Sequence, residues 1–172
     1  LVKSLNIKQL TGLAHQIVRA KVVNKQIEAD PYESGALVCY YTLAVEETLK
    51  APLAGPSDEI IIKQLADGTT TQNGLAVRQQ YNFPQYEVGK TYVFFLPQAH
   101  SKTGLSAPIG LAQGVFEIVA DRAGRETVPA FVARAGILKK GLTDDAQGKL
   151  LKAQVEKVAN DARYEEFKKM IQ

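Results

Sequence analysis

Few side chains in this sequence combine the types and spacing that catalysis requires. His15 and His100 are the only histidines, and they lie far apart in the chain. Neither belongs to an H-E-x-x-H metal motif or follows the order of a hydrolase triad. His15 lies where a predicted helix meets a strand, and His100 lies in a polar loop. We therefore expect both histidines to be structural or solvent-exposed, rather than to take part in acid–base or metal chemistry.

Two pairs of adjacent carboxylates, Glu46-Glu47 and Asp144-Asp145, are the next candidates for chemistry. The first pair falls in a predicted strand, where neighbouring side chains point to opposite faces. Glu46 and Glu47 should therefore be unable to form an acid–base couple. Asp144-Asp145 indicates the start of a helix, because acidic residues are favoured in a first turn.

Cys39 is the only cysteine, which excludes an internal disulfide and a thiolate metal cage. Its mid-strand position predicts a small buried apolar side chain rather than a reactive thiol. Gly110 and Gly114 do not form a phosphate loop, because no G-K-[ST] follows them. We predict no catalytic residue, no metal site and no cofactor.

An aromatic cluster outside the regular strands is the candidate for partner contact. The predicted contact residues are Arg78, Gln79, Tyr81, Phe83 and Tyr86. Such residues can form a hot spot for a protein or ligand, stack single-stranded nucleic acid beside a basic group, or simply close one end of a barrel. All three interpretations remain open at this point.

The formal net charge of +3 comes from the last third of the chain, since residues 1–120 carry ten basic and ten acidic side chains. This bias is far weaker than that of a dedicated nucleic-acid binder. The residues that could form a weak anion-binding patch, or only a solvated face, are Arg122, Arg125, Arg134, Lys139 and Lys140.

Alternation of apolar and polar residues predicts a sheet. The predicted strands are Ile17–Ile27, Ala36–Leu49, Asp58–Leu65, Leu75–Tyr81, Thr91–Leu96, Pro108–Val119 and Glu126–Val132. The strand within Val88–Leu96 is apolar on both faces, so we expect it to be the central strand, covered on both sides. Glycines in Pro108–Val119 indicate a bulge or a close backbone approach, and Pro129 indicates an edge strand.

The second strand is long, which suggests a bend or a bulge. Its inward face should carry Leu37, Cys39, Tyr41, Leu43 and Val45. The segment 30–35 before it, which contains Pro31, predicts a loop.

Helical spacing predicts a short helix over Lys3–Leu13 with Ser4 as a possible cap, and a longer helix from Thr143 that bends near Asn160-Asp161. With 172 residues, 45% of them apolar, the chain is long enough for one domain with a core. No apolar run is long enough for a transmembrane helix. The expected fold is mainly β (α+β), a small antiparallel OB-type barrel over about 16–133 with a C-terminal helical segment over about 143–171, all within one domain, 1–172.

Four segments resemble the netrin-like fold, the OB-barrel module of the tissue inhibitors of metalloproteinases, and especially its cysteine-free bacterial relatives. They are IVRAKVV (17–23), YTLAVEETLK (41–50), VGKTYVFFL (88–96) and IGLAQGVFEIV (109–119). The resemblance implies a non-enzymatic, exported binding module whose partner is a protein or a cell-envelope component. A start at Leu1 rather than Met is a further reason to expect export, to the periplasm, the envelope or the medium.

Metalloproteinase inhibitors of this family place an N-terminal cysteine on the protease zinc, and this sequence has no cysteine near Leu1. No inhibitory residue can therefore be carried over. The alternatives to a binding module are an OB-fold that binds single-stranded nucleic acid, which the weak basic bias disfavours, and a protease inhibitor with non-standard chemistry.

Overall fold

A computed structural model describes residues 3–30 and 35–172. The helices are α1 (Ile7–Leu13), α2 (Pro129–Lys139), α3 (Ala146–Asp161) and α4 (Tyr164–Ile171), with a 3-10 turn at Leu111–Gly114. The strands are β1 (Gln16–Ala29), β2 (Leu37–Lys50), β3 (Glu59–Leu65), β4 (Gly68–Gln72), β5 (Leu75–Gln79), β6 (Thr91–Leu96), β7 (Val115–Glu117), β8 (Val119–Ala120) and β9 (Glu126–Thr127). The centre of the predicted loop before β2, residues 31–34, lies outside the described residues.

Five strands form one antiparallel sheet in the order β3-β2-β1-β6-β7, and β4-β5 and β8-β9 form two small hairpin sheets. The mixed α+β class is as predicted. Within the described ranges, the edge strands β3 and β7 do not pair with each other, so no closed barrel is found. The central strand is β1 and not the predicted β6, because the strand order places two strands on each side of β1, whereas β6 has only β7 beyond it.

The sheet is covered on both faces, as the apolar pattern of β6 predicts. Val93 and Phe95 belong to a core shared with the helices, whereas Phe94 and Leu96 belong to a second core on the opposite face. Each fully buried phenylalanine contributes about 1.5–3 kcal/mol to stability. The second core also contains the predicted inward residues of β2, with Cys39, Tyr41 and Leu43 buried and Leu37 and Val45 packed at its edge.

Side-chain caps begin α1 and α3, and a left-handed residue ends α3. The cap of α1 is Asn6 rather than Ser4, and it forms a reciprocal capping box with Gln9. The cap of α3 is Asp145, whose carboxylate accepts a hydrogen bond from Gly148 N at 2.8 Å. The predicted bend near 160–161 is confirmed, since Ala162 adopts a left-handed backbone (φ 56°) between α3 and α4.

Two strand predictions are wrong. The strand predicted over Glu126–Val132 is only two residues long, and Pro129 begins α2 instead of marking an edge strand. Proline suits the first position of a helix, where its missing N–H needs no partner. The segment Pro108–Val119 is mostly a 3-10 turn followed by the short β7, although Gly114 does mark a close backbone approach, to the Ile109 carbonyl.

Candidate partner-binding rim and its cavity

A turn after β5 presents two aromatic side chains at the surface. Asp67 Oδ1 accepts hydrogen bonds from the backbone N–H groups of Tyr81, at 2.5 Å, and Asn82, at 3.1 Å. Asn82 takes a left-handed backbone (φ 55°), which asparagine tolerates better than most residues. The rings of Tyr81 and Phe83 are consequently held 6.1 Å apart, centre to centre.

We define the rim as Ile27, Tyr81 and Phe83. Tyr81 is 51% exposed, Ile27 is 51% exposed, and Phe83 is half-buried. Phe83 and Ile27 both line one cavity, and Tyr81 contacts this cavity only through its neighbour Phe83. The predicted contact residue Arg78 is also exposed, on β5.

The other two predicted contact residues are structural, which corrects the sequence interpretation. Tyr86 is 3% exposed, and its ring packs edge-on against Tyr41 at 4.9 Å and Phe94 at 5.2 Å. The side chain of Gln79 is buried. Its Oε1 accepts from Leu37 N at 3.1 Å, and its Nε2 donates to Leu37 O at 2.7 Å and Ala66 O at 2.6 Å. Tyr86 therefore closes the second core, and Gln79 anchors the β4–β5 hairpin to the sheet.

The cavity beside the rim has a volume of about 30 Å³ and reaches the second core. Its inner wall is formed by Cys39, Tyr41 and Gln64, and its mouth carries Lys25 and Asp67. Burial raises the pKa of Cys39 and that of Tyr41, so both side chains are neutral near pH 7. The protonated thiol is a poor nucleophile, and this cavity is suited to binding rather than to covalent chemistry.

Gln64 is the polar residue of the inner wall. Its Nε2 donates to Pro84 O at 2.7 Å, which fixes the orientation of the amide. Its Oε1 is buried and accepts no hydrogen bond from the described part of the chain. Sequence reasoning missed Gln64 because a glutamine within a strand pattern gives no sign of its burial.

The carboxylates of Glu46 and Glu47 lie on the same face of the sheet, which overturns the prediction that they point apart. Glu47 pairs with Arg19 and Val45 pairs with Ala20, so Glu46 is an extra residue in a β-bulge. The bulge shifts the alternation, and Leu49 consequently enters the core shared with the helices.

The two glutamates bind different partners. Glu46 Oε1 lies 3.1 Å from Arg19 Nε, and Glu47 accepts from Tyr164 Oη at 2.5 Å and Lys168 Nζ at 2.9 Å. Arg19 also forms a two-pronged ion pair with Glu126. These contacts tie β1 and β2 to β9 and α4, and we therefore assign the cluster a structural role.

The remaining candidates make contacts that support structural roles. His15 donates its backbone N–H to Leu96 O, and His100 Nδ1 accepts from Lys102 N and Thr103 N within its own loop. Asp144 pairs with Lys152 at 2.7 Å at the start of α3.

Three of the five basic residues considered for an anion-binding patch have side-chain partners within the protein. Arg125 pairs with Asp121 at 3.0 Å, and Lys139 pairs with Glu156 at 3.1 Å. The guanidinium carbon of Arg134 lies 4.2 Å from the Phe116 ring centre, and the side chain donates to three backbone carbonyls. Burial lowers the pKa of Arg134. These contacts favour structural and solvated roles over an anion-binding patch.

No group of three or more His, Cys, Asp or Glu side chains within residues 3–30 and 35–172 is arranged to hold a metal ion. None of the helices in those ranges is both long and apolar enough to cross a membrane. Comparison with models of known protein families finds no match to this chain, and neither does comparison with curated protein sequences.

Proposed function

We propose that this protein is a non-enzymatic binding module whose partner is a protein that packs on the rim. The observation that carries the proposal is the aromatic pair of exposed Tyr81 and half-buried Phe83, in a turn held by Asp67 beside a cavity that Phe83 lines. Aromatic side chains beside a pocket are the usual anchors of protein interfaces, because they bury a large area with few rotatable bonds.

Rigidity supports this choice of surface. Two backbone hydrogen bonds to Asp67 and the left-handed Asn82 fix the turn before any partner arrives. A preordered turn loses little conformational entropy on binding, so more of the contact energy appears as affinity. Ile27, which is exposed and lines the same cavity, adds to the apolar area.

We also propose that the sheet is an OB-type barrel of the netrin-like kind, open between its edge strands. Of the four segments that resemble the netrin-like fold, three coincide with β1, β2 and β6, and the fourth spans the 3-10 turn and β7. Ser106 supports a partial closure, since it bonds to both backbone groups of Lys63 on the edge strand β3. On this assignment the protein is exported, and its partner is a protein or another component of the cell envelope.

Binding of single-stranded nucleic acid is a second candidate, favoured by one observation. Lys25 lines the cavity with Phe83, and Arg78 is exposed on β5, three residues before Tyr81 in the chain. Asp67 at the same mouth opposes a polyanion. Titration with a labelled oligonucleotide separates the candidates, because nucleic-acid binding strengthens steeply at low salt. No binding at low salt excludes this alternative.

Peptide selection tests the main proposal. A random peptide library displayed on phage is selected against the whole protein, and the affinities of the selected peptides are measured by fluorescence anisotropy. Tyr81→Ala and Phe83→Ala should each weaken binding about 10- to 30-fold, as expected for hot-spot residues.

Leu53→Ala is the matched control, because Leu53 is fully exposed on the loop between β2 and β3, and it should leave affinity unchanged. Equal affinities for all four proteins would reject the rim as the binding surface. Inhibition of a panel of zinc proteases by the same protein would instead support the protease-inhibitor alternative.

A further inference from the structure

We propose that the cavity beside the rim is a subsite for one small, uncharged hydrogen-bond donor of the partner, such as a serine, threonine or asparagine side chain, which donates to Gln64 Oε1. This inference rests on the proposed function, since it names the chemistry of the partner that the rim would hold.

Gln64 supplies the acceptor. The residue is only 2% exposed, and its Nε2 already donates to Pro84 O. Its Oε1 accepts no hydrogen bond from the described residues. A buried acceptor without a donor is costly, and a donor delivered by the partner would recover that cost on binding. The same asymmetry makes the site discriminate against a partner that lacks the donor.

The volume sets the size of the occupant. About 30 Å³ holds roughly two water-sized groups. A hydroxymethyl group, or the NH2 end of a carboxamide, fits such a space, whereas an aromatic ring does not. Leu65, Ala66 and Phe83 provide apolar wall around the carbon atoms of the entering side chain.

The charges at the mouth favour a neutral occupant. Lys25 lines the cavity, with its Nζ 3.4 Å from Gln85 Oε1 and 5.7 Å from the Tyr41 ring centre. It opposes a cationic side chain. Asp67 lines the same cavity and opposes an anionic one. The protonated Cys39 and Tyr41 on the inner wall add no charge.

Cys39 provides a direct measurement, since it is the only cysteine and lies on the cavity wall. The rate at which methyl methanethiosulfonate modifies Cys39 is followed by mass spectrometry in the presence of acetamide or acetone. The two probes have nearly the same shape, but only acetamide has N–H donors. Acetamide should slow the modification about threefold more than acetone at equal concentration, and Gln64→Met should abolish the difference.

The peptides that bind the rim give the second measurement. Replacing their Ser, Thr or Asn by Ala should weaken binding to the wild-type protein about 3- to 10-fold. The same replacement should have no effect on binding to Gln64→Met. Gln85→Met is the matched control, since Gln85 lines the cavity but its Oε1 already accepts from Lys25, and it should keep the discrimination. Should Gln64→Met not fold, Ala66→Val fills the cavity from another wall and should have the same effect.

The outcomes separate the two proposals. Equal protection of Cys39 by acetamide and acetone would overturn the subsite, whatever the peptides do. Peptides that depend on Tyr81 but keep the same affinity when their Ser, Thr or Asn is replaced would also overturn it and leave the rim standing. Selective protection by acetamide, combined with peptides that ignore Tyr81→Ala, would support the subsite and reject the rim.

Discussion

The guanidinium carbon of Arg19 lies 4.7 Å from the centre of the Tyr164 ring. Arg19 stands on the central strand and Tyr164 begins the last helix, so this contact joins the middle of the sheet to the end of the chain. The Tyr164 hydroxyl donates to Glu47, and Arg19 holds Glu126. A cation over an aromatic face adds about 0.5–2 kcal/mol to such a junction.

Tyr164→Phe should reduce the free energy of unfolding by about 1–2 kcal/mol. The substitution keeps the ring under Arg19 but removes the hydroxyl that donates to the Glu47 carboxylate, and hydrogen bonds to charged groups are worth more than neutral ones. Urea unfolding followed by circular dichroism measures the change. Tyr81→Phe is the control, because Tyr81 is exposed and should change stability by less than about 0.5 kcal/mol. Equal losses for the two variants would contradict the structural role of the Tyr164 hydroxyl.

Acid should weaken the same junction. The hydrogen bond from Arg19 lowers the pKa of Glu126. Burial by itself would raise the pKa of Glu47, but the hydrogen bonds from Tyr164 and Lys168 outweigh it, and the pKa is lowered. A carboxyl whose pKa is lower in the folded state stabilises the fold above its unfolded pKa, about 4.3, and loses that contribution as pH falls through its folded pKa.

Glu126→Gln tests this pH dependence. The wild-type protein should exceed the variant in melting temperature near pH 7, and the difference should shrink as the pH is lowered from 5 to 3. Thermal unfolding at a series of pH values measures it. A constant difference across that range would show that Glu126 acts by packing rather than by its charge.

The sheet and the last two helices could be predicted from the sequence because their apolar periodicity is strong. The Glu46–Glu47 bulge could not be located, since strand alternation alone predicts opposite faces and only the pairing with β1 reveals the extra residue. Pro129 suited either an edge strand or a first helical turn, and the buried contacts of Phe131 favour the helix.

The candidate site was predicted in part. The aromatic spacing led to Tyr81 and Phe83, but the same spacing gave Tyr86, which packs into the core. Gln64 could not be found at all, because its importance depends on burial and on an atom that lacks a partner among the described residues.

Gln79→Ala should destabilise the protein by about 1–3 kcal/mol, because it removes three hydrogen bonds and takes the Gln79 acceptor away from the backbone N–H of Leu37. The Leu37 carbonyl keeps its hydrogen bond from Ala66 N. Amide hydrogen exchange in β4 and β5 should also become faster, since Gln79 anchors that hairpin. Gln80→Ala is the matched control, because Gln80 is exposed and bonds only locally to Asn82. If Gln80→Ala lost stability and Gln79→Ala did not, Gln79 would not be the residue that anchors the β4–β5 hairpin.

Gly148→Ala should destabilise the protein by more than about 3 kcal/mol or prevent folding. A methyl group at this position in the first turn of α3 would overlap the carbonyl oxygen of Thr143, and backbone atoms cannot move aside cheaply. Gly136→Ala is the control, because a methyl group there meets nothing within 4 Å on the helix α2. It should stabilise the protein by about 0.5–1 kcal/mol through helix propensity. If the melting temperatures of Gly148→Ala and Gly136→Ala changed in the same direction, the close packing of Gly148 against Thr143 would be contradicted.

Hydrogen–deuterium exchange of the whole protein, with and without a rim-selected peptide, tests the proposed binding surface most directly. Binding at the rim predicts slower exchange in residues 79–86 and 25–29. The opposite side of the molecule has a larger groove of about 510 Å³ between α1 and α3, lined by Thr11, Leu150 and Ile171. Protection confined to α1 and α3, with unchanged exchange in residues 79–86, would contradict the proposal.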